Sequence, residues 1–270
     1  MIDTTLLIRE PAEVYHKNRR KYLTSSDLRL FFKNPILYRA KHTTEEDQPD
    51  TLALVFGRAA HARILEGEDQ FQLQFAWGGP KNPKTDKEYG YGTNAWNEWA
   101  KELPLPALPT ADVMTIESMA QSVESHAYAQ ELLQNGVAER VLRAELHGVA
   151  CQARYDWINP MRGIVDLKTT DDLDRFEGSC WRYGYRHQMA FYQEVMFNAG
   201  ACERNVELPI HIIAVEKKEP FRVGVWRVDR DALDEAAVEN EETIKRLNWA
   251  ITTGDWPTGY EEVRTLSARG

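Results

Sequence analysis

The stretch RYDWINPMRGIVDLKTT, Arg154 to Thr170, decides the fold. Apolar and β-branched residues flank an Asn-Pro-Met-Arg-Gly segment, the composition of two strands joined by a tight turn. The same stretch carries Asp156, Asp166 and Lys168, although like charges facing each other across strands are destabilising. Successive strand side chains alternate faces, so Asp166 and Lys168 share one side while Val165 and Leu167 take the other. With the turn centred near Met161, Asp156 falls directly opposite Asp166, roughly 5 Å away at Cβ. Two carboxylates at that spacing can hold one divalent cation, which turns a repulsive pair into a bound one. A hard cation such as Mg²⁺ takes carboxylate and backbone carbonyl oxygens and leaves room for a phosphate. The Leu167 carbonyl is one such donor, and Lys168 beside it can offset charge developing on phosphorus. The hairpin therefore has the makings of a phosphodiester-hydrolysing centre.

Outward from the hairpin the hydrophobic period identifies the other elements. Strands are expected near 139–147, 150–158 and 163–168, with tight turns at His147-Gly148 and Asn159 to Gly163. A helix over Tyr185 to Ala199 follows, ended by Gly200. VELPIHIIAVEKK and FRVGVWRVD read as two further strands, and Asp231 to Thr253 as an amphipathic helix with Leu233, Ala237, Ile244, Leu247 and Ile251 on one stripe. Upstream, LTSSDLRLFF offers Ser25 or Ser26 as a helix cap. Thr51 to Gly67 reads as a helix, Trp77 to Thr93 as a long loop, and Asn94 to Lys101 as a short helix. Thr110 would cap a long helix to about Asn135. The order predicts one mixed α/β domain over residues 1–270: an N-terminal helical part (1–108), a core (109–216), and a C-terminal strand and helix (217–270).

The 270 residues carry a formal net charge of −9, with 43% hydrophobic and 28% charged residues, the balance of a globular protein. Acidity argues against a surface coated in DNA-attracting charge but leaves a nucleic-acid enzyme open, because metal-binding carboxylates add negative charge. HKNRRK (His16 to Lys21) and KNPKTDK (Lys81 to Lys87) could track phosphates, though each alone reads as a solvated face. Cys151, Cys180 and Cys202 include no Cys-x-x-Cys pair, so neither a disulfide framework nor a zinc or iron–sulfur site is expected. No apolar run is long enough to span a bilayer, and the first residues lack the order of a secretory signal, so a cytoplasmic protein is expected. No phosphate-binding Gly-x-x-x-x-Gly-Lys-Ser/Thr loop for a nucleotide is present.

Asp-x-Lys alone is a weak signal, and Glu216 to Lys218 supplies a decoy Glu-x-Lys. The acid opposite Asp166 is what separates the two. With those residues in place the sequence resembles the PD-(D/E)xK nuclease superfamily, and within it RecB-like and especially RecE-like exonucleases of phage or prophage type. The motifs are FGRAAHARIL, with Gly57 four residues before His61; ARYDWI with Asp156; IVDLKTT with Asp166 and Lys168; and QMAFY, with Gln188 and Tyr192. LTSSDLRLFFKNPILY is similar to the N-terminal segment of RecE-type enzymes. The short Pro-Asp signature is absent, since Tyr155 precedes Asp156.

The resemblance implies a central mixed sheet flanked by helices. It implies that His61, Asp156, Asp166 and the Leu167 carbonyl bind Mg²⁺, with Mn²⁺ as a substitute, and that Lys168 is catalytic. Gln188 and Tyr192, one helical turn apart, would position the scissile strand. Glu145, on the first strand, is a candidate supporting acid, although simple pairing sets it opposite Gln152 rather than beside Asp156. The expected activity is degradation of one strand of linear duplex DNA from its end, 5′ to 3′, leaving single-stranded tails for recombination. A single-strand annealing protein and a homo-oligomeric ring, trimer or tetramer, come with the same resemblance. The rivals are a structure- or site-specific endonuclease on the same core and an inactive nuclease fold kept as a DNA-binding subunit. Glycoside hydrolysis by the carboxylate pair gives Lys168 no task.

Overall fold

A computed structural model describes residues 1–43 and 51–265. The helices are α1 (Ala12–Lys17), α2 (Ser25–Lys33), α3 (Pro35–Thr43), α4 (Leu52–His61), α5 (Glu68–Gln74), α6 (Asn94–Lys101), α7 (Thr110–Ser125), α8 (Ala127–Leu132), α9 (Phe176–Tyr183), α10 (Tyr185–Asn198) and α11 (Arg230–Thr253). Two-residue strands β1 (Ala76–Trp77) and β2 (Ala107–Leu108) pair in parallel. The main sheet holds β3 (Val137–Leu146), β4 (Val149–Asn159), β5 (Gly163–Thr170), β6 (Ile210–Glu216) and β7 (Val223–Arg227), in that spatial order. Neighbours are antiparallel except β5 and β6, which run parallel. The connection between those two is long enough to hold α9 and α10, as a parallel crossover requires.

The sheet is covered on both faces. Ile164, Ile212 and Ala214 pack with Phe191, Met189 and Val195 of α10 and with Leu233, Ile244 and Leu247 of α11. Val165, Leu167, Ile213 and Val215 pack on the other side with Ala59 and Ala60 of α4 and Ile116, Met119 and Val123 of α7. This is the mixed α/β architecture expected from the sequence. The turn between β4 and β5 does centre on Met161, with Asn159 paired to Gly163. Gly163 sits at φ +92°, and a Cβ there would lie 1.9 Å from the Pro209 carbonyl oxygen. Only glycine lets this turn feed β5 in alongside β6.

Several expectations are corrected. The helix expected from Thr110 to Asn135 is two helices, broken at His126, whose extended backbone and ring Nδ1 cap α8 by accepting from the Ala129 N–H at 3.2 Å. Thr110 is not a capping side chain; Pro109 occupies that position. The cap of α2 is Thr24, which accepts from the Asp27 N–H, rather than Ser25 or Ser26. Ile251 lies on the exposed side of α11. Glu145 pairs with Ala150, not Gln152, because the two-residue His147-Gly148 turn sets the count; it is exposed and near the turn end of the hairpin. Its expected supporting role finds no place there. The decoy Glu216 is engaged structurally: Arg222 grips both its oxygens at 2.7 and 2.9 Å, and the Leu173 N–H donates at 2.9 Å.

The N-terminal helices are tied down by a buried acid. Asp27 accepts from Arg19 Nη2 at 2.6 Å and from the Thr24 hydroxyl at 2.6 Å, with His42 Nε2 at 3.6 Å. Burial alone would raise its pKa, but His42, Arg19 and Thr24 outweigh that and hold it well below the usual carboxylate range. Unpairing a buried charge is costly, so Asp27→Asn should lower stability by about 3 kcal/mol at neutral pH. The unfolded chain takes up a proton that folded Asp27 refuses, so the gap between native and variant should close as the pH falls below about 4. Urea unfolding of both proteins across that range checks it; a gap independent of pH would show that the carboxylate charge is not what holds α2.

Candidate metal centre

The β4–β5 ladder runs through Asn159–Gly163, Ile158–Ile164 and Trp157–Val165 and stops one step short of Asp156 and Asp166. There the Asp156 carboxylate replaces the ladder: its Oδ2 accepts the Leu167 N–H at 2.8 Å. On β4, Tyr155 and Ile158 both enter the core under α10, three residues apart, while Trp157 packs on the opposite side. Regular alternation cannot do this, so the strand changes phase at Asp156-Trp157. The neighbouring β3 slips at the same level. Glu139 has φ +53°, and the β3–β4 pairing skips it between Ala138–Trp157 and Arg140–Tyr155. A non-glycine residue held in that region is strained, a condition that concentrates at functional sites.

The two slips gather a cluster that β4 alone could not build. His61, the last residue of α4, is followed by a π-helical turn over Ala62–Glu66, a feature frequent at functional sites. Its Nδ1 lies 3.5 Å from Asp156 Oδ2 and 4.0 Å from Glu139 Oε1. One ligand atom each from His61, Glu139 and Asp156 lie within 4.8 Å of one another. Arg154 Nε donates to the other Glu139 oxygen at 2.5 Å. A Cβ at Gly57, one turn before His61, would meet nothing within 4 Å, so packing does not demand glycine there.

Asp166 and Lys168 face α10, as alternation from Ile164 requires. Lys168 Nζ is 2.6 Å from Asp166 Oδ2 and lies over the Tyr185 ring at 4.8 Å. Gln188 Nε2 donates to Asp166 Oδ1 at 3.3 Å and to the Tyr192 hydroxyl at 3.0 Å. Both amide hydrogens of Gln188 are thus used within the protein, and Tyr192 is buried. In this arrangement the pair orients Asp166, where the sequence reading had it gripping the scissile strand.

The charges are strongly coupled. Burial alone would depress the His61 pKa, but the Asp156 and Glu139 charges carry it up to about 9. Burial pushes Asp166 up to about 6, the Lys168 ammonium opposing the rise and the Asp156 charge adding to it. Burial would raise Asp156 as well, but His61, Lys168 and the Leu167 N–H hold it down. Glu139 is raised by burial and by Asp156, against Arg154. Lys168 is raised by Asp166 and Asp156 in spite of burial. Two carboxylates pushed in opposite directions in one spot are a place where added positive charge is favoured.

The donor set fits a divalent cation. It offers carboxylate oxygens and one imidazole nitrogen, which suit Mg²⁺ or Mn²⁺. Asp166 Oδ2 is buried, and despite the nearby ammonium it receives no hydrogen bond of good geometry. His61, Asp156, Asp166 and the Leu167 carbonyl are the ligands expected from sequence; Asp166 stands outside the tight three-residue cluster, turned toward Lys168. Glu139 was missed. Counting pairs back from the His147-Gly148 turn sets it opposite Asp156, so the signal was present in the register.

The family described as a PDDEXK-like domain of unknown function (DUF3799) matches residues 24–268. Among solved structures, a protein from Eubacterium rectale, provisionally named an exonuclease, is 17% identical and superposes with a TM-score of 0.65 over 97% of both chains. At that identity the likeness shows a shared fold. Another, SSO0001, is 11% identical over 85% of this chain and 91% of its own, with a TM-score of 0.28, and carries no argument. No curated protein matches this chain in sequence.

A cation that binds only the folded state raises its stability, by about 2.7 kcal/mol at a hundred times the dissociation constant. Millimolar Mn²⁺ should therefore raise the melting temperature of the native chain and leave Asp156→Asn unmoved. Glu139→Gln should weaken the Mn²⁺ response about tenfold in concentration. An unchanged response in Glu139→Gln would remove that residue from the site.

Proposed function

The chain belongs to the PDDEXK-like domain family, and on that premise we propose that it is a Mg²⁺-dependent exodeoxyribonuclease acting on linear duplex DNA. The observation that carries the proposal is the convergence of Asp156, Asp166, His61 and Lys168 at the parting of β4 and β5, with Lys168 paired to Asp166 at 2.6 Å. That combination gives a cation site and a fixed ammonium side by side, which suits hydrolysis at a phosphodiester better than any other reaction of the same groups.

Asp156, Asp166, Glu139, His61 and the Leu167 carbonyl would hold the cation. Bound there, it supplies charge neutralisation and Lewis acidity toward a phosphoryl group. The remaining work falls to the chain's own side chains. Lys168, kept as an ammonium by Asp166 and Asp156, donates to a phosphate oxygen and stabilises the charge that develops during attack by water. Gln188 fixes the Asp166 carboxylate, and Tyr192 fixes Gln188. Arg154 holds the outer oxygen of Glu139 and so aims its inner one at His61.

Several finer features rest on the RecE-like resemblance of the motifs: attack from a strand end, 5′ to 3′ direction, single-stranded tails for recombination and an annealing protein as partner. A ring-shaped trimer or tetramer belongs to the same proposal, since enclosure would let a chain of net charge −9 retain DNA. Light scattering at working concentration should then give a mass of three or four chains; a strictly monomeric mass would remove the ring.

The direct assay uses blunt linear duplex labelled at the 5′ or the 3′ end, beside closed circular plasmid. The native chain with Mg²⁺ should release the 5′ label first, leave the plasmid intact and do nothing in chelator. Lys168→Ala should be slower by at least about a hundredfold, the cost of removing one charge-stabilising donor. Cutting of the closed circle would instead make the enzyme an endonuclease. Equal rates in Lys168→Ala and native chain would overturn the catalytic assignment.

A further inference from the structure

Lys168 lies at one end of a row of stacked groups that leads out of the site. Its ammonium sits 4.8 Å from the centre of the Tyr185 ring. The Tyr183 ring stacks beside Tyr185, with centroids 6.0 Å apart and planes 29° from parallel. The Arg182 guanidinium stands 5.7 Å from the centre of the Tyr183 ring. Inner and outer members differ in burial: Tyr185 is half-buried, whereas Tyr183 is 49% exposed although it lies next to a packed core.

The corner between α9 and α10 creates this row. Gly184 takes φ +68°, ending α9 in the left-handed region and starting α10 at once. The two tyrosines on either side of it thereby come onto one surface. Arg29 closes the corner from below: its Nη2 donates to the Arg182 carbonyl, and its guanidinium would be 3.1 Å from a Cβ on residue 184. Neither Arg29 nor Arg182 has a carboxylate partner among the described residues. Two guanidinium groups without a carboxylate partner thus stand at the corner whose exposed Tyr183 ring leads on to the catalytic lysine.

Sequence-tolerant binding of single strands uses this combination, aromatic faces for the bases and cations for the backbone. Resting on the nuclease reading above, we propose that Tyr183 is a base-stacking residue for the unpaired end of the DNA strand that enters the site. Arg182 and Arg29 would meet the phosphates on either side of the stacked base. Within a duplex both faces of a base are stacked and the terminal pair frees only one, whereas an unpaired base can turn a face to Tyr183, so the contact favours strand ends that have separated from their complement.

Trp181, 65% exposed, is an exposed aromatic on the same helix with a different setting. It carries Arg186 at 4.9 Å, but that arginine is held by Glu239 at 2.9 Å and Glu235 at 3.6 Å. Two acids at that position repel a phosphate chain, which makes Trp181 the matched control.

The test measures binding of the full chain to two DNAs of equal length, with Ca²⁺ in place of Mg²⁺. One is blunt; the other has a short single-stranded tail carrying 2-aminopurine at the junction. Tyr183→Ala should weaken binding to the tailed DNA about tenfold and abolish the fluorescence change of the base. Tyr183→Phe, which keeps the ring, should restore both to within about twofold, and Trp181→Ala should match the native chain. Native affinity and fluorescence response in Tyr183→Ala would overturn the stacking role while native cleavage of linear DNA left the nuclease reading intact. If the native chain neither cuts nor binds either DNA, the nuclease reading itself falls and this inference falls with it.

Discussion

A parting of two strands underlies the rest of this structure. Where β4 leaves β5, a backbone N–H loses its ladder partner, and the Asp156 carboxylate takes it. A carboxylate spent on a backbone donor cannot turn freely toward solvent. It is held at the depth where Asp166, Glu139, His61 and Lys168 also end. Concentrating like charge in a poorly solvated place is expensive, and the polypeptide offsets it with three cations of its own: Lys168 beside Asp166, Arg154 beside Glu139, and His61 between Glu139 and Asp156. The opposed pKa shifts of Asp156 and Asp166 are the electrostatic record of that crowding.

The layers of the fold explain why the groups meet only here. His61 comes from α4 on one face of the sheet, and Gln188 from α10 on the other. A regular sheet would keep these faces apart. The phase changes at Glu139 and at Asp156-Trp157, in adjacent strands at the same level, open an edge through which both faces contribute. Strain in the Glu139 backbone is the local cost of that opening.

Much of this was legible in the sequence because it depends on short-range rules. Turn chemistry at Asn159 to Gly163 sets the β4–β5 register, and alternation along β5 puts Asp166 and Lys168 on one face. The decoy Glu216 lacked an opposed acid, and it proves to be clamped by Arg222. What escaped depends on departures from those rules. Glu139 was hidden by a two-residue error in the β3–β4 register, which set Glu145 opposite Gln152 and left no acid of β3 opposite Asp156. The break at His126 and the short helix α9 were missed because an imidazole cap and a single left-handed glycine carry little periodic signal. The orienting role of Gln188 could not be read at all, since helical spacing shows which side chains are neighbours and not where their hydrogens go.

The central claim is that these acids converge because a cation belongs between them. Diffraction from crystals grown with Mn²⁺, measured at the manganese absorption edge, tests it most directly. The account predicts one strong anomalous peak in contact with Asp156, Asp166 and the Leu167 carbonyl, with Lys168 withdrawn from Asp166 Oδ2 to make room. A map without a peak at saturating Mn²⁺, in which Lys168 and His61 remain the partners of the two aspartates, would contradict it.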